Sequence, residues 1–489
     1  MFAVFIVAGK LFILFGVCVH PRRVEVRVRS LNDAPVRRDG KYVLYWSQMN
    51  RRVESNHALA HAIELANAMQ MPVLFYEALG CTYKYANDRL HTFVLEAVVE
   101  TQKRARAFGL GYVFHLRKRR ADSNDALYRL AAQAAALVTD DYPTFFAPLH
   151  NASVPSKIGI PYLAVDSSCI VPMNLMEKRE YAAYTIRPKI KKLLPRFLHR
   201  FTTPAVRVRW NLETGSNFHT DIDNVAELVA ACEIDHTVRP STAFHGGRKT
   251  VEKALKHFVE QNLRRYASGR NEPAAHATSD MSPYLHFGQI GALEVAMAVK
   301  EYADEHKLIA DEYLEELIVR RELAYNFAKF SPNPEAFENL PDWAQKTLAK
   351  HAGDARSPVY TREEFEQART HDALWNAAQK EMLFRGKIHG YYRMYWGKKI
   401  IEWSATCEDA LATMIYLHDR YALDGRDPAT YTNVLWCFGL HDRPWTERPI
   451  FGMIRWMSID GMKRKTDVDS YLREIGYIES TGKDLHRVA

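Results

Sequence analysis

Five short apolar runs, YVLYW at 42–46, MPVLFYE at 71–77, YVFHL at 112–116, ALVTDD at 136–141 and PYLAVD at 161–166, alternate with longer amphipathic stretches. Strand-length apolar runs separated by helical periodicity predict a parallel sheet covered by helices on both faces. A dinucleotide-binding version of that fold needs a glycine-rich turn after its first strand. Here the glycine pair, Gly109 and Gly111, precedes a strand instead, and there is no P-loop. Residues 41–170 therefore read as a Rossmann-like α/β sandwich without a phosphate loop.

Residues 171–220 read as a connector, dense in Lys and Arg from Lys178 to Arg209 and broken by Pro188, Pro195 and Pro204. It is either a solvated linker or a wrap that lends positive potential to a nucleic-acid face. From 221 to 480 the pattern is helical, as in TVEKALKHFVEQNLRRYA and DEYLEELIVRRELAYNFAKF. The expected fold is an α/β parallel-sheet sandwich joined to a large all-α C-terminal domain. A length of 489 residues with 47% hydrophobic content allows two or three domains with sizeable cores. The net charge of +8 suits a polyanionic partner but is only a mild bias at this length.

The six cysteines (Cys18, Cys81, Cys169, Cys232, Cys407, Cys437) form no CxxC pair and no zinc-like spacing, so no metal site is expected and buried free thiols are the simpler reading. Only three, Cys232, Cys407 and Cys437, lie in the helical stretch from 221 to 480, too few for a cluster needing four thiolates. The apolar run within residues 1–26 contains Lys10, which would cost about 3 kcal/mol near the centre of a membrane span. It has neither a charged leader nor a small-residue cleavage site, so it reads as an upstream extension, with targeting as the lesser alternative. No stable membrane association is expected.

Between 371 and 403 three tryptophans, Trp375, Trp396 and Trp403, fall in one strongly helical, basic segment. Trp396 and Trp403 are seven positions apart and so share a helix face, about 10 Å apart along the axis. That separation suits electron hopping between indoles. Spacing alone favours the plainer reading, a packed core.

The motifs THDALWNAAQKE (370–381), GKIHGYYRMYWGKKIIEW (386–403), IYLHDRYALDGRDP (415–428) and HDRPWTERPIFGMIRWMSIDGMKRKTDVD (441–469) resemble the catalytic half of the class II cyclobutane pyrimidine dimer photolyases. The resemblance starts near Arg27, with RVRSLNDAPVRRDGKYVLYW. It continues through EKREYAAYTIRPKI and ATSDMSPYLHFGQI to about residue 473. It implies FAD as cofactor, ultraviolet-damaged DNA as partner and light-driven splitting of the dimer. It also allows a deazaflavin-type antenna chromophore in the N-terminal domain.

Residue by residue, the resemblance assigns the FAD diphosphate to Tyr266 and to the loop Thr278, Ser279, Asp280, Met281 and Ser282. Read alone, that loop is an ordinary helix entry whose free amides can bind phosphate. Arg393 and Asp424 would flank the flavin ring and His418 would face its reactive nitrogen. Glu316 and Trp436 would contact the dimer; by itself Glu316 would be a solvated helix carboxylate. The implied electron supply runs from Trp403, outermost, through Trp375 to Trp396, nearest the flavin. Arg455, Trp456, Lys463, Arg464 and Lys465 would meet DNA, although a basic turn is more often merely exposed.

The chain departs from the family pattern at six positions. His418 and Asp280 stand where asparagine is usual, Thr430 and Asn433 where glycine is, Cys437 where serine is, and Met453 where lysine is. An imidazole offers a titratable proton that an amide lacks, and a carboxylate beside a diphosphate is repulsive unless it turns away or binds a cation. Two readings compete with repair. One is a cryptochrome-like photoreceptor, for which a signalling tail after KRKTD would be expected. The other is a DNA-binding protein without flavin. The photolyase reading goes with a monomer in the cytoplasm, or in the nucleus or an organelle of a eukaryote.

Overall fold

The computed structural model describes residues 25–213 and 216–485, with two short strands, Phe2–Val7 (β1) and Lys10–Phe15 (β2), ahead of them. Residues 1, 8–9 and 16–24 of the 1–26 extension, Cys18 among them, lie outside the described residues. All five apolar runs form strands: β4 (Tyr42–Ser47), β5 (Val73–Gly80), β6 (Gly111–Arg117), β7 (Ala134–Asp140) and β8 (Tyr162–Val165). They pair in parallel in the order β8-β7-β4-β5-β6. A sixth strand, β3 (Val28–Ser30), adds antiparallel to β8 at the edge, upstream of the expected boundary at 41. β4 and β7 are buried along their whole length, which is why they read as unbroken apolar runs rather than alternating ones.

The turn after β4 is where a nucleotide-binding sandwich presents its amides to phosphate. Here the buried Asp140 at the end of β7 takes that place. Its carboxylate accepts hydrogen bonds from the amides of Gln48 (3.0 Å), Met49 (2.8 Å) and Asn50 (2.9 Å). The cradle is filled by the protein's own anion.

The basic connector wraps the molecule. Its helix Ala183–Leu193 ion-pairs with the helical half through Arg187 and Glu315 (2.7 Å), and Arg200 pairs with Glu301 (2.6 Å). Farther on it runs along the β6 edge, where Thr220 N donates to Phe114 O (2.7 Å) and covers an otherwise open strand.

The regular structure beyond residue 221 is helical. Arg89, at the start of the helix Asp88–Phe108, is buried and donates to Met382 O (2.8 Å) and Tyr421 O (2.7 Å). It thereby ties the sheet half to the carboxyl ends of the helices Ala373–Arg385 and Cys407–Tyr421. Gly288, at φ +65°, permits a close approach of the halves, since a Cβ there would lie 2.1 Å from Met49 O. The five cysteines among the described residues are buried free thiols. No helix among the described residues is long and apolar enough to cross a membrane.

Candidate functional site

A cavity of about 600 Å³ opens between helices of the C-terminal half, a size and setting usual for cofactor sites. Its walls come from six segments spread over residues 263–437. These are the helix Leu263–Gly269, the loop 278–282, the segment Glu315–Arg320, the helix Gly390–Trp403 with the strap before it, and the helices Cys407–Tyr421 and Pro428–Cys437. Glu315–Arg320 is a π-helical turn set inside a longer helix, a distortion common at functional sites.

Tyr266, Thr278, Ser279, Met281, Ser282, Glu316, Arg393, Trp396, His418, Asp424, Trp436 and Arg455 all line this cavity. Arg393 Nη2 donates to both oxygens of Asp424, at 3.2 and 3.1 Å, and Ser282 Oγ donates to Asp424 at 2.7 Å. Burial alone would raise the Asp424 carboxyl. Arg393, Ser282 and Lys387 outweigh it and hold the group down at about 2, so the pair is ionised at neutral pH. Among the described residues, Arg393 Nε and His389 Nε2 are buried without a hydrogen-bond partner, and both residues line the cavity. Leaving such groups unpaired costs about 1–3 kcal/mol each, so the walls suit a ligand bearing polar atoms.

Asp280 is turned out of the main cavity. At φ +54° its carboxylate pairs with Lys387 and accepts from Thr278 Oγ1 (3.2 Å). The repulsion expected of a carboxylate beside a diphosphate is thus met by an ammonium that itself reaches the cavity. His418 also differs from expectation. Burial, then the nearby Arg393, pushes its imidazole down to about 4, so it is neutral and does not titrate near pH 7. Nδ1 lies 2.9 Å from Met414 O, an acceptor only, so Nδ1 carries the proton and Nε2 is left as an acceptor.

The three tryptophans form one contact chain. Trp375 stacks on Trp396 with centroids 6.2 Å apart and planes 5° from parallel, and Trp403 meets the other side of Trp375 edge-on at 6.3 Å. Trp375 Nε1 donates to Trp396 O and Trp396 Nε1 to Gln379, both at 2.9 Å, which fixes the rings. Trp375, from the neighbouring helix, bridges the two indoles that seven-residue spacing alone would have paired directly. Of the three, only Trp396 lines the cavity, and the His418 ring stands edge-on to it at 5.0 Å.

At the mouth, Glu316 pairs with Arg270 (2.8 Å), and the Arg320 guanidinium lies 5.5 Å from the Trp436 ring centroid. Thr430 and Asn433 also line the cavity and do not close it; Thr430 Oγ1 is turned back to Asp424 O (2.7 Å). Cys437 packs against Gly397, where a Cβ would lie 2.7 Å from its sulfur. Met453 lies outside the lining, its amide bonded to Thr347 Oγ1 (3.0 Å). Trp456 is 36% exposed, and Lys463, Arg464 and Lys465 are exposed around the end of the helix Ile459–Lys463. Sequence reasoning missed Arg270, Tyr313, Arg320, Arg321, Lys387, His389, Met394 and Lys398 in the lining. Lys387, His389, Met394 and Lys398 sit inside the GKIHGYYRMYWGKKIIEW motif and could have been read from it.

A sequence profile of the DNA photolyase family matches residues 43–205. A deoxyribodipyrimidine photo-lyase of Methanothermobacter thermautotrophicus is 39% identical over 454 residues, covering 92% of this chain and 98% of that protein. One from Oryza sativa is 36% identical (94% and 92% covered), and one from Potorous tridactylus 34% identical (92% and 84% covered). Among solved structures, a Synechocystis cryptochrome superposes with a TM-score of 0.65 at 15% identity, covering 88% of each chain. A class III photolyase from Agrobacterium tumefaciens does so at 0.63 and 16%, covering 92% of this chain and 93% of that one.

Proposed function

Because this chain belongs to the DNA photolyase family, we propose that it is a class II deoxyribodipyrimidine photolyase that binds ultraviolet-damaged DNA and splits cyclobutane pyrimidine dimers with light. The observation that supports this reading is one shared cavity. Its lining gathers the Arg393–Asp424 pair, Thr278, Ser279, Met281 and Ser282 of the 278–282 loop, the inner end of the tryptophan chain, Glu316 and Trp436.

FAD, when bound in its reduced form, supplies under light the electron that splits the dimer and receives it back. The chain's residues prepare for that event. The 278–282 loop offers amides to the diphosphate, with Lys387 adding positive charge and drawing the Asp280 carboxylate aside. Arg393, held by Asp424, keeps a guanidinium beside the ring, where it favours an anionic ligand. A flipped dimer needs an apolar wall and a polar contact once unstacked. Trp436 supplies the wall, and Glu316, on release from Arg270, supplies the contact. Trp403, Trp375 and Trp396 carry replacement electrons inward. Arg455 and the exposed Lys463, Arg464 and Lys465 hold phosphates, so affinity falls steeply with salt.

The test is repair of an oligonucleotide with one cyclobutane thymine dimer by anaerobically photoreduced protein, under blue light and in the dark. Light-dependent loss of the dimer is expected. Bound, reducible flavin with a persisting dimer would oppose repair and point to light sensing.

A further inference from the structure

Past Trp403 the link to Trp456 runs through a cation rather than a ring contact. Lys399 Nζ lies 5.4 Å from the Trp403 ring centroid and 5.6 Å from that of Trp456, so one side chain bridges both indoles. Solvent exposure rises along the series: Trp396 and Trp375 are 0% exposed, Trp403 4% and Trp456 36%.

We propose that Trp456 is the terminal electron donor of the chain, a fourth carrier that delivers the radical to the protein surface. This rests on the flavin reading given above. A positive charge on an indole is penalised by burial and stabilised by water, so the exposure gradient drives the electron vacancy outward. At Trp456 the cations Lys399 and Arg448, the latter 4.8 Å from the ring centroid, oppose a further positive charge. They favour loss of the indole Nε1 proton to water, which leaves a neutral radical and blocks the return path.

The electrons balance as follows. With oxidised FAD bound and photoexcited, Trp396 would give up one electron to it, and Trp375, Trp403 and Trp456 would each refill the inner neighbour in turn. Trp456 ends one electron and one proton short, and a soluble thiol restores both as a hydrogen atom, becoming a thiyl radical that couples to a disulfide. A competing exit is Tyr360, 5.9 Å from Trp403 by ring centroid, with its hydroxyl 2.8 Å from His371 Nδ1.

The experiment is flash transient absorption of the holoprotein with oxidised FAD, without reductant, in H2O and D2O. It compares the natural chain with Trp456→Phe, Trp456→Tyr and Tyr360→Phe after matching flavin content and circular dichroism. In Trp456→Phe the light-generated radical pair should recombine at least fivefold faster, and the D2O-sensitive formation of a neutral tryptophan radical should vanish. In Trp456→Tyr a tyrosyl absorption should replace it, and Tyr360→Phe should decay like the natural chain. Unchanged decay in Trp456→Phe overturns the proposal, as does fast decay in Tyr360→Phe alone. A protein that takes up no flavin overturns the underlying reading instead, a failure visible before any flash.

Discussion

Two loops of this molecule face the same physical problem and solve it in opposite ways. The turn after β4 points three backbone amides at one spot, and Asp140 fills that spot with a carboxylate from the neighbouring strand. The 278–282 loop in the helical half could be sealed in the same way by Asp280, yet Lys387 draws that carboxylate aside and the cavity stays open. A sandwich fold therefore does not by itself make a nucleotide site; what decides is whether the protein satisfies its own donors. In this chain Asp140 meets the three backbone amides of the β4 turn, while the helical cavity keeps Arg393 Nε and His389 Nε2 unpaired on residues of its wall.

The sharpest way to break that contrast is on the open side. Asp424→Ala leaves the Arg393 guanidinium buried beside the cavity without its carboxylate, a loss of about 3–5 kcal/mol for breaking a buried pair. Flavin per protein in the purified variant, read by absorbance, should fall at least tenfold. On the closed side, Asp140→Ala strands three amides and should cost about 3 kcal/mol of folding stability. That loss should appear as an earlier denaturation midpoint, while folded protein keeps its flavin.

His418 sharpens the contrast through pH. Its folded value, about 4, lies below the ordinary histidine value of 6.5. The unfolded chain therefore binds the proton more readily, and stability present above pH 6.5 is lost as pH falls toward 4. His418→Asn removes this penalty. Denaturation curves of the two proteins should diverge with acidification, the natural chain losing on the order of 3 kcal/mol more by pH 4. The smallest effect belongs to the rim, where Glu316 and Arg270 are both partly exposed. Arg270→Gln should change denaturant stability by less than about 1 kcal/mol.

The fold was legible where burial writes itself into composition. The five parallel strands stood out because they are covered on both faces, whereas the three residues of β3 carry too little pattern to find. At the site, Arg393, Asp424, Glu316 and the tryptophans could be named from motifs, yet their arrangement depends on contacts across long stretches of chain. Lys387 meets Asp280 across 107 positions and Asp140 meets the β4 turn across about 90, and no local pattern records either. Trp375 sits between Trp396 and Trp403 only because two helices pack side by side. The neutrality of His418 likewise follows from burial, which its neighbours in sequence do not reveal.

The central claim is that one cavity holds both the flavin and the flipped dimer. It is tested most directly by the excited-state lifetime of the fully reduced flavin, measured with undamaged DNA and with DNA carrying one cyclobutane dimer. If the dimer occupies the Glu316 and Trp436 side of that cavity, its presence should shorten the lifetime several-fold while undamaged DNA leaves it unchanged. Equal lifetimes with both DNAs, under conditions where both are bound, would contradict the account.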